Sequence, residues 1–168
     1  RVLNGENMRD AIIKMIYDII ESQVDMFIRD DQAPKDWDMA GLSQSMLEII
    51  PFKLNLTEAD IEKLSKSEFK QMLKEEAVKL YEMKEAEFPE PEHIRELERI
   101  VLLKVIDRKW MDHLDDLEQL KQGIGLMAYG QRDPAVEYKI QGFEMFNIMI
   151  DNIKIDTVKT LYHIQVEQ

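Results

Sequence analysis

Gly123-Ile-Gly-Leu-Met-Ala-Tyr-Gly-Gln-Arg-Asp133 lies between two long segments that both carry helical periodicity. Glycines at 123, 125 and 130 make the stretch a poor helix and a good connector. Upstream, from Glu92 to about Gln122, there is no Pro or Gly. Leu97, Val101, Leu103, Ile106, Trp110, Leu114, Leu117 and Leu120 hold an apolar stripe there, as on one face of a helix. Roughly 30 residues at about 1.5 Å each predict a rod of roughly 45 Å. Downstream, Asp133 followed by Pro134 is a strong helix start, an N-cap acid before a proline at the first helical position. Val136, Ile140, Phe143, Phe146, Ile150, Ile153 and Leu161 form the second stripe, running nearly to the C-terminus. Two such rods joined by a loop of about ten residues fold back most simply as an antiparallel hairpin. Trp110, Leu114, Phe143 and Phe146 are its expected structural residues, with Trp110 read as buried packing rather than as a ligand.

The connector is unusual in content. It carries Ile124, Leu126, Met127 and Tyr129 where loops are normally polar, and before Asp133 its charge comes only from Arg132 and the flanking Lys121. On a chain of net charge -12, this predicts an apolar, slightly basic tip built to touch something. Tyr129 has an apolar ring and a hydroxyl that can rest against a varied surface. Folding back to close the hairpin is an equal reading of the same residue.

Working outward, about Glu6 to Arg29 predicts a first helix, with Met8, Ile12, Met15, Ile16, Ile19, Val24 and Phe27 on one face and Pro34 beyond its end. Trp37, Leu42, Met46, Leu47 and Ile49 predict a short second helix stopped by Pro51. Thr57-Glu-Ala-Asp60 and Ser65-Lys-Ser-Glu68 are capping arrangements, and the second opens a run through Phe69, Met72, Leu73, Ala77, Leu80 and Tyr81. Phe88-Pro-Glu-Pro91 is the clearest break. No period-2 run bounded by turn dipeptides competes. The expected fold is all-α: a small helical domain over 1–90, then a long two-helix hairpin over 91–168.

Composition narrows the function. The 168 residues are 45% hydrophobic and 33% charged, enough to bury a core. There is no Cys, which excludes disulfides and thiolate metal sites. The longest apolar runs are short, and no secretory signal opens the chain; its abrupt Arg1-Val-Leu start is expected of a piece of something longer. The charge is -8 over 1–90 and -4 over 91–168, which argues against broad nucleic-acid binding.

Catalytic chemistry finds little support. The glycines at 5, 41, 123, 125, 130 and 142 never make a phosphate cradle ending in Lys and Ser or Thr, so no nucleotide-binding motif and no enzyme is expected in this chain. Glu90-Pro-Glu-His93 has metal-ligand letters but straddles a proline break and has no second copy, so no metal is expected. His113 among Asp112, Asp115 and Asp116 reads as part of a solvated acidic face opposite the Leu114 and Leu117 stripe rather than an acid–base cluster. The 11 Met residues mostly fill stripe positions, Met127 excepted.

The letters themselves are more specific. Trp110-Met-Asp-His-Leu114, the run from Gln119 to Pro134, Glu137-Tyr-Lys139 and Phe143-Glu-Met-Phe146 closely resemble the C-terminal region of the SecA family, the bacterial preprotein translocase ATPases. Val2 to Arg9, Trp37-Asp38, Gly41-Leu42 and Tyr81 before Lys84-Glu85 agree, so the resemblance covers essentially the whole chain. It implies that residues 1–90 are the helical wing with its lead-in. Residues 91–168 would be the helical-scaffold hairpin, or two-helix finger, which overlaps a segment regulating the ATPase. It further implies a mechanical part of an export motor whose ATP and magnesium sit in motor domains elsewhere in the parent chain. The implied partners are the SecY channel and unfolded preprotein, at the cytoplasmic face of the bacterial membrane, peripherally and through the channel. The tip residues Tyr129, Ile124, Leu126, Met127 and Arg132 are the implied contacts, Tyr129 foremost. The family's loop commonly has His and Arg where this chain has Gly125 and Met127, so the tip here is less basic and more apolar. Self-association through uncovered apolar stripes is also expected. The alternative from the residues alone is a free-standing helical module that docks a partner by its hydrophobic loop.

Overall fold

The computed structural model describes residues 5–53, 55–127 and 133–166. Among them every regular element is helical: α1 (Gly5–Phe27), a 3-10 turn (Pro34–Asp36), α2 (Met39–Leu47), α3 (Glu58–Glu62), α4 (Lys66–Ala86), α5 (Pro91–Met127) and α6 (Pro134–His163). The all-α expectation and the order of its elements hold.

Local chemistry sets the ends. Both capping boxes form reciprocally: Thr57 Oγ1 accepts from the Asp60 amide at 3.2 Å while Asp60 Oδ2 accepts from the Thr57 amide at 3.1 Å. Ser65 and Glu68 do the same at 3.1 and 3.3 Å. Each satisfies two amides that a helix start leaves orphaned. Past α1, the Arg29 amide donates to the Gln32 side chain, and Trp37 Nε1 donates to the Gln32 carbonyl at 3.3 Å. That bond lets the Trp37 ring bury against Phe69, 5.4 Å between centroids. Asp38 then caps α2, accepting from the Gly41 amide at 3.0 Å. Gly41 is required there, because a Cβ would collide with the Asp38 carboxylate and lie 3.0 Å from Phe27 Cε1.

Helices α1 and α4 pack side by side and are laced at the surface. Lys66, Lys70 and Lys74, one helical turn apart, meet Asp25, Asp30 and Glu21 at 2.5–2.9 Å. The Lys70 ammonium, seconded by Lys74 at Glu21 and Lys66 at Asp25, holds both carboxyls below the usual range. Inside, one core runs from Ile12, Ile16 and Ile20 of α1 through Phe69, Leu73 and Tyr81 of α4. It continues into Ile94, Val101 and Val105 of α5 and Met149, Ile153 and Leu161 of α6. The root of the hairpin is therefore built into the body made by α1 and α4. Among the described residues, Val105 and Met149 are the last members of that shared core, and beyond them His113 and Ile124 are the buried residues of the α5–α6 seam.

Two expectations about the hairpin need correction. The helix does not stop at Gln122: α5 continues through Met127, so Gly123, Ile124, Gly125 and Leu126 are helical. Glycine in a helix costs about 1 kcal/mol against alanine. Burying Ile124 returns about 1.5–3 kcal/mol, and each added residue extends a helix already nucleated. The second correction is the stripe. Trp110 is 45% exposed and Leu114 is 51% exposed, whereas His113 is 6% exposed. The buried face of α5 runs through Ile94, Glu98, Val101, Val105, His113 and Ile124, beside the predicted one.

Candidate functional site

Among the described residues, the distal hairpin leaves several large hydrophobic side chains exposed, among them Trp110, Leu114, Leu126 and Phe143. His113 lies between the helices, its ring 5.6 Å from Trp110 and 6.0 Å from Phe146. A Cβ on Gly142 would touch Leu117 Cδ2 at 3.6 Å, an ordinary contact that places Leu117 against α6 at Gly142. Toward the root, Lys109 Nζ and Arg108 Nη2 reach Asp156 Oδ2 at 2.9 and 3.4 Å, pinning the register. His113 thus belongs to the seam and not to a solvated acidic face.

On one side of the seam, Lys109, Asp112 and Asp116 line a groove of mixed polarity with Met145, Ile148 and Asn152. Positions 110 and 114 of α5 and 143 and 146 of α6 fall on the other side by helical period. That side is an apolar flank of Trp110 and Leu114 on α5 and Phe143 and Phe146 on α6, with Leu103, Ile106, Val136 and Ile140 exposed as well. The predicted structural residues of the hairpin are thus its outer flank and not its interior, with Phe143 at 67% exposure. Sequence periodicity found the stripe but could not tell which of two adjoining stripes faces the partner helix.

At the tip, Ile124 turns into the seam and is 6% exposed, whereas Leu126 turns outward at 79%. Asp133 Oδ1 accepts from the Ala135 amide at 3.0 Å, the predicted N-cap. A hollow beside the turn is lined mainly by apolar atoms of Ile124, Gly125, Pro134, Ala135 and Tyr138, with Lys121 and Lys139 adding positive charge. Glycines 123 and 125 face open space, since a Cβ at either would meet nothing within 4 Å. Tyr129 and Arg132, and the side chain of Met127, lie outside the described residues. Of the expected contact set, the structure therefore places Leu126 outward and Ile124 inward.

His93 Nε2 lies 3.9 Å from Glu90, and among the described residues no three His, Asp or Glu side chains gather as a metal would need. Among the same residues no helix is long and apolar enough to cross a membrane.

A family described as the SecA wing and scaffold domain matches residues 1–165. The chain is 59% identical to "Protein translocase subunit SecA" of Lachnoclostridium phytofermentans, over 100% of this chain and 20% of that protein. It is 44% identical to "Protein translocase subunit SecA 1" of Alkaliphilus metalliredigens, over 98% of this chain and 18% of that protein. A third relative, "Protein translocase subunit SecA" of Caldicellulosiruptor saccharolyticus, is 43% identical over 99% of this chain and 19% of its own length. The chain thus spans about a fifth of the length of the relatives it matches.

Proposed function

The chain belongs to the SecA wing and scaffold family, and from that premise we propose that it is the lever of a protein-export motor. ATP is hydrolysed elsewhere in the parent with magnesium, and the hairpin carries the resulting motion to a preprotein entering the SecY channel. Residues 1–90 act as the wing and 91–168 as the scaffold hairpin. The parent works in the cytoplasm, at the inner face of the membrane, held there through the channel. The observation that carries this reading is the division of the hairpin: its root lies in the core with α1 and α4, whereas among the described residues its distal half contributes nothing to that core.

A rod of this kind suits the task. Helix α5 has 37 residues, about 55 Å of length at about 1.5 Å each. Its tip offers an outward Leu126 and an apolar hollow with Lys121 and Lys139 at its edge. Apolar contact without shaped hydrogen bonding is tolerant of sequence, which a carrier of many clients needs. Tyr129, Met127 and Arg132 complete the contact, and the apolar flank from Leu103 to Leu114 is covered by other parts of the parent, its motor domains among them. Photocrosslinking from position 129 in the full-length parent tests this: capture of both a stalled preprotein and the channel is expected. Crosslinks confined to the parent itself would overturn it. Because apolar groups carry the contact, Met127→Arg in the parent leaves translocation within about two-fold of the starting rate, whereas a large gain would make tip charge the deciding feature.

A further inference from the structure

Where the hairpin root meets the body, the core is not apolar. Glu98 of α5 is fully buried and so is Tyr81 of α4, whose hydroxyl donates to Glu98 Oε2. Arg95 Nη2 donates to the same oxygen at 3.1 Å and to Glu85 Oε2 at 2.6 Å. Arg95 Nε sits 2.8 Å from Glu98 Oε1 as a charge contact without hydrogen-bond alignment. Arg9 of α1 closes the set, its Nε and Nη2 reaching both Glu85 oxygens at 3.1–3.2 Å, with Glu82 at 4.0 Å on its outer side. Two guanidinium groups thus balance two carboxylates, and the members come from three helices. The end of α6 is fastened nearby: Tyr162 donates to the Ala77 carbonyl at 2.6 Å and stands edge-on to Tyr81, while Lys84 Nζ donates to the Ile164 carbonyl at 2.7 Å.

We propose that this network fixes the angle at which the hairpin leaves the body, so that α1, α4 and the hairpin root turn as one piece. Buried ion networks are poor sources of stability, because desolvating the charges offsets most of their attraction. They differ from apolar packing in being directional. Leucines and isoleucines slide past one another at little cost, but a rotation of α5, which carries Glu98 and Arg95 together, would pull Glu98 off Tyr81 and Arg95 off Glu85 in a dry core. The lever arm makes such control matter. Met127 lies about 45 Å along the helix from Glu98, so a tilt of about 10° at the root moves the tip by about 8 Å. The angle at the root sets the position of the tip whatever the tip touches.

The chain has no cysteine, so two introduced ones are unique. Spin labels at Lys79→Cys on α4 and Glu118→Cys on α5, both exposed sites, report the angle as a distance distribution by pulsed dipolar EPR. The unsubstituted network is expected to give one narrow distribution. Tyr81→Phe/Arg95→Met/Glu98→Leu replaces the buried members by apolar groups and leaves Arg9 paired with Glu85. It is expected to unfold cooperatively at an equal or higher denaturant midpoint while its distance distribution at least doubles in width or shifts. Glu98→Gln is read in parallel, so a width is obtained even if the triple variant does not fold. An unchanged, narrow distribution in whichever variant folds overturns the proposal, since a merely structural network would alter the midpoint and not the angle.

Discussion

The Tyr81 hydroxyl donates to Oε2 of Glu98, and neither side chain reaches solvent. The bond joins α4 to α5 across the Phe88–Pro91 break that separates them in the chain. Burial, and then the neighbouring Glu98 charge, pushes the Tyr81 phenol well above its usual range, so it remains a donor at any working pH. Burial also raises the Glu98 carboxyl, against the pull of the Tyr81 bond and the Arg95 charge.

Tyr81→Phe removes that donor and leaves a desolvated oxygen to Arg95 alone. Loss of one partner of a buried group costs about 1–3 kcal/mol. Urea unfolding should register it as a lower midpoint with the slope unchanged. A midpoint equal to that of the parent sequence would mean the bond does not form.

Acid acts on the two carboxylate sets with opposite sign. Glu21 and Asp25 are held below their usual values by Lys70, so their stabilisation is complete above the ordinary carboxylate range near about pH 4 and is lost as pH falls through their folded values. Glu98 is raised by burial, so its contribution is complete below about pH 4.3 and is lost as pH rises through its folded value. Glu98→Gln should therefore flatten stability above about pH 4, and Lys70→Gln should flatten the acid limb below it. Denaturant midpoints taken between pH 2.5 and 7 distinguish the two; identical profiles for both variants would reject the assignment.

Gly41→Ala should destabilise by about 1–2 kcal/mol, the size of a lost N-cap with some overpacking. The added methyl drives the Asp38 carboxylate off its capping position and presses on Phe27. Thermal unfolding measures it, and the partner variant Asp38→Ala should show a similar loss with little further change when the two are combined.

Glycines 123 and 125 give the opposite expectation. Both are helical and open, and no described glycine has a positive φ. Replacing either by alanine should raise stability and far-UV helicity, by about 0.5–1 kcal/mol at each site. A loss on substitution would show that the connector begins before Met127 after all.

The apolar flank predicts concentration-dependent self-association of the isolated chain, because exposed patches beyond several hundred Å² seek cover. Leu114→Ser with Phe143→Ser should shift sedimentation toward the monomer and leave the cooperative unfolding intact, both side chains being exposed. A parent sequence that sediments as a monomer at high concentration would count against it.

The sequence by itself determined what is local. Capping pairs at Thr57 and Ser65, the Pro89–Pro91 break and the Asp133-Pro134 start each act within a few residues, so helix existence, most helix starts and the hairpin topology were legible in the letters. The likeness to SecA was legible as well, because it lies in residue identity. Tertiary structure alone decided which face of α5 is inside. Leu103, Trp110 and Leu114 make as apolar a stripe as Val101, Val105 and Ile124, and periodicity is a property of one helix that carries no information about its neighbour. It also decided that Glu98 and His113, polar residues among many solvated ones, are buried. Only the arrival of Tyr81 from α4 beside Glu98, which Arg95 flanks on its own helix, and of Phe146 from α6 beside His113 makes those positions habitable for polar groups. The glycines near the tip follow the same logic: their preference for a loop is about 1 kcal/mol each, and the burial of Ile124 against α6 outweighs it.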